Sequence, residues 1–333
     1  MKQYYFNNYA FKETAIEIMQ NGLSATPRGL KTKELLAATI VLQNPLNRLI
    51  LFPSRKTDIF YAIGEFLWYL SGSHSLEQIR YYAPSIEKFS DDGKTLNSAY
   101  GYNIFFKWFN QWQECIKILS TDADSRQAII FIREPNDLIL KTKDQICTNT
   151  MHFLIRDNKL NLIVNLRSND FYVGYIFDSF CFTMFQELMA IELGIDVGSY
   201  FHFASSLHLY EKSFMPINLI QSELPIANGE MRKMSFNTRD IWSEISDIIK
   251  YEQMIREESI NVVRTIEDEL YTTLNINAYW INILFILIFK RYLIEMDYNN
   301  CERVVSFLET NTTEDIFKIL LMEKLHAACK TSE

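Results

Sequence analysis

The hydrophobic and polar positions of this chain follow two periods. In three stretches the apolar residues recur about every 3.6 residues, the spacing of one helix face. The third stretch is almost entirely apolar, which predicts a helix buried at the centre of a domain. A glycine within two residues after each stretch predicts where the helix ends. These predicted helices are residues 10–21, 58–70 and 176–193.

Other stretches have the sequence pattern of strands, and in two of these the apolar positions alternate. Two of them flank Asp157-Asn158-Lys159, and a tight turn there predicts a β-hairpin. One sheet that leans towards antiparallel pairing, with helices gathered on it, makes the expected fold class α+β. The predicted strands are residues 34–43, 48–52, 127–132, 151–156, 160–167 and 200–210.

The pattern changes after about residue 225, where helical periodicity takes over and asparagine-rich breaks separate the segments. We therefore predict a larger domain at 1–225 and an all-helical C-terminal extension at 226–333. The extension would be either an elaborated subunit interface or a small separate domain. Its predicted helices are residues 241–255, 279–295, 301–309 and 313–329.

Composition narrows the class of protein. The 333 residues are 48% apolar and 14% aromatic, enough for a substantial core. A net charge of −8 argues against general affinity for nucleic acid. The start of the chain lacks the apolar run of a signal peptide, and the longest apolar run, 283–289, is about a third of the ~20 residues of a membrane helix. Five scattered cysteines without metal-ligand spacing predict free thiols, no metal site and a cytoplasmic location. The short apolar runs predict that the protein does not bind a membrane.

The candidate chemistry centres on Arg167-Ser168-Asn169-Asp170, with Asp178 eight residues later. Cys147 lies twenty residues before this motif, and His208-Leu209-Tyr210 follows it. These groups can hold a pyrimidine nucleotide and attack its ring. The arrangement resembles the active site of the thymidylate synthase family, and the resemblance is collinear from about Arg28 to Tyr210. It implies a mixed sheet packed by helices, with residues 1–225 as the catalytic domain.

The resemblance also implies catalytic roles. Cys147 would add to carbon 6 of the ring and so make carbon 5 reactive; alone, it would more often be a small buried residue at the start of a strand. Thr148 stands where the synthases often have histidine, so some hydrogen bonds around the ring must differ. Tyr100 would help to remove the proton from carbon 5. Glu65, between apolar neighbours, should have a raised pKa and would organise the water involved.

Binding roles follow in the same way. Asp170 and Gly174 would contact 5,10-methylenetetrahydrofolate, the one-carbon donor, although a turn aspartate is the ordinary interpretation of Asp170. The protein would be a homodimer in which the partner subunit supplies the arginine at position 126. A pyrimidine nucleoside monophosphate would be held at its phosphate and sugar by Arg28, Arg126, Arg167, Ser168, His208 and Tyr210.

Asp178 stands where the synthases have asparagine, an exchange typical of the family's cytidylate hydroxymethylase branch. Cytosine shows an amino donor beside an unprotonated ring nitrogen. An aspartate accepts from the first and, if protonated, donates to the second. The alternative is an aspartate near a helix N-terminus, stabilised by the helix dipole.

We therefore expect an enzyme that converts CMP or dCMP to its 5-hydroxymethyl derivative with water as the final reactant. A thymidylate synthase or a uridylate-type hydroxymethylase is the second hypothesis, which the identity of the base that exchanges its carbon-5 hydrogen would distinguish. A catalytically silent nucleotide-binding scaffold is the third, although Cys147, Glu65 and Tyr100 together argue against it.

Overall fold

A computed structural model of the protein describes residues 2–272, 275–311 and 315–332. The predicted start of the last helix, Thr313, lies outside these ranges. The chain forms two compact units: Met1–Asp58, Gly72–Arg80 and Pro84–Met231 in the first, and Ile59–Ser71, Tyr81–Ala83 and Arg232–Glu333 in the second. The division of the chain into domains at residue 225 stays a prediction. Within the described ranges, no helix is both long and apolar enough to cross a membrane.

The first unit is built on one mixed sheet. Its main path runs β1-β3-β8-β6-β5-β4, and β2 and β7 pair with β3 and β8. Neighbours are parallel at β1/β3, β8/β6 and β7/β8, and antiparallel elsewhere. The strands are β1 Lys2–Tyr4, β2 Leu23–Ala25, β3 Thr32–Leu42, β4 Ile129–Phe131, β5 Thr148–Arg156, β6 Lys159–Leu166, β7 Asn169–Asp170 and β8 Asp196–Tyr210.

The helices of both units confirm the α+β class and a helical C-terminal region. Five of them, at residues 76–82, 100–105, 111–121, 214–222 and 260–270, were not predicted. They are α1 Asn7–Asn21, α2 Ile59–Ser71, α3 Leu76–Tyr82, α4 Tyr100–Phe105, α5 Gln111–Thr121, α6 Gly174–Leu193, α7 Phe214–Ser222, α8 Ile241–Glu257, α9 Ile260–Leu270, α10 Ala278–Ile294, α11 Tyr298–Asn311 and α12 Asp315–Ser332.

The hairpin and the central helix of the first unit form where local sequence directs them. Asp157 and Asn158 both have positive φ, 51° and 55°, which suits the right-handed twist of the strands they join. Helix α6 is buried along most of its length, packs on β6 and β8, and ends at Gly194 with a φ of 67°. This packing places the residues at the start of α6 beside the ends of the strands.

The predicted strand at 48–52 is wrong. Its backbone groups bond to a loop and to a helix side chain: Leu49 N–H donates to the Gly229 carbonyl, and Leu51 N–H donates to Asn8 Oδ1. Arg48 is fully buried and pairs with Glu187 at 2.8 Å. An apolar run bonded in this way resembles a strand in sequence, but no neighbouring strand pairs with it.

The second unit is helical, and α2 packs against α8 and α10 within it. Gly64 allows the Tyr82 ring to lie against α2, because a Cβ at this position would lie 2.3 Å from that ring. The Tyr82 hydroxyl donates to Glu252 Oε1 at 2.6 Å, and Arg256 pairs with the same carboxylate. These bonds satisfy a buried glutamate between apolar helices.

Candidate active site

A cavity of about 580 Å³ opens in the first unit where several strands begin or end. Five of the predicted site residues line it. They come from the short helix Pro27–Gly29, the segment after β6, and the end of β8. The lining residues are Ala25, Pro27, Arg28, Thr32, Glu34, Arg133, Gln145, Arg167, Ser168, Ser206, His208 and Tyr210.

The charge of the lining suits an anion. Arg28, Arg133 and Arg167 bring three guanidinium groups against the single carboxylate of Glu34. The buried Nε of Arg133 has no hydrogen-bond partner among the described residues. A buried unpaired donor is costly, so a site with such a donor gains free energy when an anion accepts from it.

Cys147 lies just before β5 and is held beside Arg167. The guanidinium donates from Nε to the Ile146 carbonyl at 2.8 Å and from Nη2 to the Gln145 carbonyl at 3.0 Å. The same Nη2 lies 3.5 Å from Cys147 Sγ. Burial raises the pKa of the Cys147 thiol, and the charge of Arg167 opposes this increase. The thiol is therefore protonated in the free protein near neutral pH, with a cation ready to stabilise its thiolate.

Tyr100 and Asp178 share the electrostatic environment of Cys147. Tyr100 begins α4, is buried, and stacks on Phe182 with ring centroids 6.1 Å apart. Burial raises the pKa of its phenol well above the usual value, and the charges of Asp178 and Cys147 add to the increase. Three side chains that are far apart in the sequence are thus close enough to influence one another's protonation.

Asp178 lies in the second turn of α6, because the helix starts at Gly174 rather than at the predicted residue 176. Its position beyond the first turn weakens the interpretation of Asp178 as a dipole-stabilising residue, since that effect fades within one turn. Asn169 Nδ2 donates to Asp178 Oδ2 at 2.6 Å. One carboxylate oxygen is therefore an acceptor with a fixed partner.

His208 and Tyr210 lie on the same face of β8, with their rings edge to face and centroids 5.0 Å apart. Burial lowers the pKa of His208 and raises that of Asp170, with each charge opposing the shift of the other. Asp170 Oδ1 accepts from the backbone N–H groups of Tyr172 at 3.0 Å and Val173 at 3.4 Å. The turn-forming role weighed for Asp170 is thus present in the structure.

Seven of the twelve predicted site residues do not line the cavity, among them Arg126, Glu65 and Gly174. Arg126 is exposed, and His152 Nε2 lies 3.1 Å from its carbonyl oxygen. Glu65 is buried in the second unit, where Tyr61 donates to Oε1 at 2.7 Å and Tyr69 donates to it at 3.3 Å. A Cβ on Gly174 would lie 2.8 Å from Asn169 Nδ2, so glycine is needed there for close packing.

Arg55 provides a further, half-buried cation beside Asp170. Its guanidinium lies over the Tyr172 ring at 4.7 Å from the centroid, and its Nε has no partner among the described residues. Burial lowers the pKa of Arg55, while the charges of Tyr172 and Asp170 oppose this decrease. A donor, a carboxylate and an aromatic face in one place suit a polar heteroaromatic ring such as the pterin of folate.

Comparison with known proteins decides the family. The family model described as thymidylate synthase matches residues 9–257. The chain belongs to the thymidylate synthase family. This membership confirms the resemblance carried by Cys147 and the Arg167–Asp170 motif, whereas the role of each residue stays a prediction.

Relatives in the family include proteins of two names. The deoxyuridylate hydroxymethyltransferase of Bacillus phage SP01 is 31% identical over 207 residues, 58% of this chain and 54% of that protein. That of Delftia phage PhiW-14 is 30% identical over 183 residues, 51% of each chain. The deoxycytidylate 5-hydroxymethyltransferase of Enterobacteria phage T4 is 30% identical over 203 residues, 56% of this chain and 78% of that protein. The chain thus spans about half the length of the deoxyuridylate hydroxymethyltransferases it matches.

Several residues of the candidate active site were not predicted from the sequence. Gln145 precedes Cys147 by two residues, and Asn169 lies inside the recognised motif, so both were close to a signal. Arg133 directly follows the strand predicted at 127–132, where a side chain at the end of a strand reaches the edge of the sheet. Glu34 and Arg55 gave no signal, because their place in the site depends on strand pairing and on a loop. The described residues contain no group of three or more His, Cys, Asp or Glu that could hold a metal.

Proposed function

We propose that this protein is a pyrimidine nucleotide C5-hydroxymethyltransferase that converts CMP or dCMP to the 5-hydroxymethyl nucleotide. The observation that carries the proposal is the shared electrostatic environment of Cys147, Tyr100 and Asp178 next to a cationic cavity. The thiol can attack a pyrimidine, and the carboxylate suits the amino group of cytosine. Family membership and the hydroxymethyltransferase relatives support the same type of reaction.

The nucleotide phosphate would bind the guanidinium groups of Arg28, Arg133 and Arg167 and the hydroxyl of Ser168. Arginine forks match phosphate oxygens in geometry as well as in charge. His208 and Tyr210 would contact the sugar from the same cavity. This binding mode orients the pyrimidine ring towards Cys147, which Arg167 holds at the edge of the phosphate site.

The reaction would begin when the Cys147 thiolate forms a bond to carbon 6, and the electron pair of the 5,6 double bond moves to carbon 5 and into the ring. Arg167 stabilises the thiolate, which burial otherwise disfavours. Carbon 5 then takes up a one-carbon unit and gives up its hydrogen as a proton. Tyr100 would pass that proton to water, and we propose that Glu65 organises the water.

Folate would supply the one-carbon unit when bound and would leave as tetrahydrofolate once its bond to that carbon breaks, and Asp170, Gly174 and Arg55 are the residues that would hold it. Hydroxymethyl rather than methyl forms when water, not hydride, completes the reaction. The protein must therefore admit one water molecule to the exocyclic carbon. Re-formation of the 5,6 double bond then releases Cys147.

The base would be read by Asp178. Because Asn169 donates to Oδ2, that oxygen is an acceptor, and a proton on the carboxyl group would sit on the other oxygen. A carboxyl group that accepts from the amino group and donates to the ring nitrogen matches cytosine. A mismatched buried polar group costs about 1–3 kcal/mol.

A second candidate is a uridylate hydroxymethylase or a thymidylate synthase. The specific observation in its favour is the name of two matching relatives, deoxyuridylate hydroxymethyltransferases at 30–31% identity. The two candidates differ in the base they accept, not in the role of the nucleophile.

The test is mass spectrometry of the products from CMP, dCMP, UMP and dUMP, each incubated with methylenetetrahydrofolate. We expect a product heavier by one hydroxymethyl group from CMP or dCMP, and none with a Cys147→Ala control. A hydroxymethyl or methyl product from UMP or dUMP alone would establish the second candidate.

Exposure of Arg126 fits a homodimer in which this arginine reaches the partner's phosphate site. Mixing Arg126→Ala subunits with Cys147→Ala subunits should restore part of the activity, since one site of the heterodimer then carries neither lesion. The absence of recovery, with heterodimers shown to form by native mass spectrometry, would mean that each subunit builds its own site.

A further inference from the structure

A buried chain of hydrogen bonds leads from β8 to Asp178. The Tyr200 hydroxyl lies 2.8 Å from His202 Nδ1, and His202 Nε2 lies 3.1 Å from Asn169 Oδ1. Asn169 Nδ2 then donates to Asp178 Oδ2 at 2.6 Å. Tyr200 is fully buried, and His202 and Asn169 are 1% and 3% exposed.

The direction of these bonds depends on which nitrogen of the His202 imidazole carries the proton. Burial lowers the pKa of His202 to about 3, so the imidazole is neutral and carries one proton. Burial raises the pKa of Tyr200 well above its usual value, so its hydroxyl keeps its proton. If that hydroxyl donates to Nδ1, the imidazole proton is on Nε2 and is donated to Asn169 Oδ1. The amide of Asn169 must then turn its NH₂ group to Asp178.

The opposite tautomer would reverse the end of the chain. With the proton on Nδ1, the Nε2 atom of His202 would accept from the Asn169 NH₂ group. The amide oxygen would then face Asp178, which would need a proton on Oδ2 to bond with it. The tautomer of His202 therefore decides whether Asp178 meets a donor or an acceptor.

Packing holds the chain in place. A Cβ at position 174 would lie 2.8 Å from Asn169 Nδ2, so the amide fills the space beside Gly174. The Tyr175 ring meets the His202 ring edge to face, with centroids 4.9 Å apart and planes at 86°. A 180° turn of the amide preserves its shape, so packing fixes its place and the hydrogen bonds decide which of its ends faces Asp178.

We propose that Tyr200, His202 and Asn169 are positioning residues that set the base preference of the enzyme by keeping an N–H donor on Asp178 Oδ2. The inference rests on the proposed role of Asp178 as the reader of the base. With a donor fixed on Oδ2, the carboxyl group keeps one hydrogen-bonding pattern for its ligand. Without it, Asp178 can turn or protonate on either oxygen, and the pattern for one base is no longer favoured over that for the other.

The test compares Tyr200→Phe with Tyr175→Phe, two changes that each remove the hydroxyl of a buried tyrosine whose ring lies near the His202 ring. The Tyr175 hydroxyl donates to Asn7 Oδ1 at 2.7 Å and takes no part in the chain. The measurements are dissociation constants for cytidylate and uridylate and release of tritium from carbon 5. We expect the cytidylate-to-uridylate ratio to change by ~3- to 10-fold in Tyr200→Phe, the effect of about one hydrogen bond. In Tyr175→Phe the ratio should stay at the wild-type value.

A merely structural role would lower binding of both nucleotides equally, so an unchanged ratio in Tyr200→Phe, or the same change in Tyr175→Phe, overturns the inference. A wild-type preference for uridylate refutes the cytidylate assignment alone, since a shift confined to Tyr200→Phe still supports the positioning role. Wild type that binds neither nucleotide refutes both.

A second measurement does not depend on any substrate. Imidazole ¹⁵N NMR of the wild-type protein should show His202 neutral at pH 7 with its proton on Nε2. In Tyr200→Phe, where the hydroxyl donor is gone, the proton should be shared between the two nitrogens. A proton on Nδ1 in wild type overturns the inference whatever the enzyme accepts as substrate.

Discussion

Two regions of the first unit differ in how their polar groups are solvated and paired. The cavity lining carries three arginines and one glutamate. Arg28 is exposed, and Arg133 Nε has no hydrogen-bond partner among the described residues, so both can bind an anion. The chain from Tyr200 to Asp178 is buried, and each interior member has a partner on both sides.

The difference separates affinity from selectivity. Charges near solvent attract any nucleoside monophosphate, and salt weakens them. Neutral hydrogen bonds in a buried region are fixed in direction and cannot be replaced by water, so they discriminate between bases. The two regions meet at Cys147 and Arg167, and changes on either side should affect different measured quantities.

The largest effect is expected where the regions meet. Cys147→Ser should lower turnover and carbon-5 exchange by ~10³-fold or more, because a hydroxyl is a much weaker nucleophile than a thiolate. Nucleotide should still bind, because the arginines remain. Kinetics and equilibrium binding measure the two quantities, with Cys329→Ser, a change of an exposed thiol, as the control. Substantial turnover in Cys147→Ser would remove the cysteine from the mechanism.

Asp178→Asn should alter selectivity and leave phosphate affinity alone. An amide at this position can donate to the oxygen of uracil and accept from its ring N–H, a pair of groups that cytosine reverses. Preference should therefore move from cytidylate to uridylate by about 2–4 kcal/mol, a factor of roughly thirty to several hundred.

Tritium release from labelled cytidylate and uridylate at equal folate measures this change. Absolute activity is expected to fall, because the surrounding waters are arranged for the other base. A wild-type preference for uridylate, or an unchanged preference in the variant, would show that Asp178 does not read the base.

Arg133→Gln should alter affinity and leave selectivity alone. Loss of a charged hydrogen bond should weaken binding of a nucleoside monophosphate by about 1.5–3 kcal/mol, roughly 10- to 150-fold. Binding should also become less dependent on salt, whereas the cytidylate-to-uridylate ratio should not change. Titration calorimetry at two salt concentrations measures both quantities, and Arg156→Gln, at an exposed position, is the matched control. Equal losses in the two variants would contradict a specific role for Arg133.

The smallest effect concerns pH. Because burial raises the pKa of Cys147, its alkylation by iodoacetamide should accelerate about tenfold per pH unit from pH 7 upwards until that pKa is reached. Arg167 opposes the increase in pKa, so Arg167→Gln should move the profile to higher pH. Mass spectrometry of the Cys147 peptide gives the rate. A profile that moves to lower pH would mean that Arg167 does not stabilise the thiolate.

Local sequence was sufficient for some elements and not for others. The hairpin at Asp157-Asn158 and helix α6 were predicted because their turn and their periodicity act within a few residues. The strand predicted at 48–52 was wrong, since its backbone bonds to Asn8 and Gly229, which are far away in the chain. Periodicity indicates that a segment is buried and extended, but it does not name the partner of its hydrogen bonds.

Likewise, the sequence was sufficient to predict only part of the candidate site. Resemblance to the family's motifs predicted roles for Cys147 and the Arg167–Asp170 motif, because an active-site motif places its side chains through short, stereotyped segments. Tyr200, His202, His208 and Tyr210 are separated by even numbers of positions along one predicted strand. Their spacing therefore indicates one shared face. The connection of Tyr200 and His202 to Asp178 could not be predicted, because it depends on how β7 pairs with β8 and how α6 begins.

By itself, the sequence determined the kinds of chemical groups present and their order, and these were enough to predict the family. Only the tertiary structure decided that Arg133 and Glu34 line one cavity and that a buried tyrosine reaches Asp178 through two intermediaries. The physical reason is that hydrogen bonds and charges act over a few ångströms in space. Residues that are separated by tens of positions in the chain come within that range only when the sheet and helices pack.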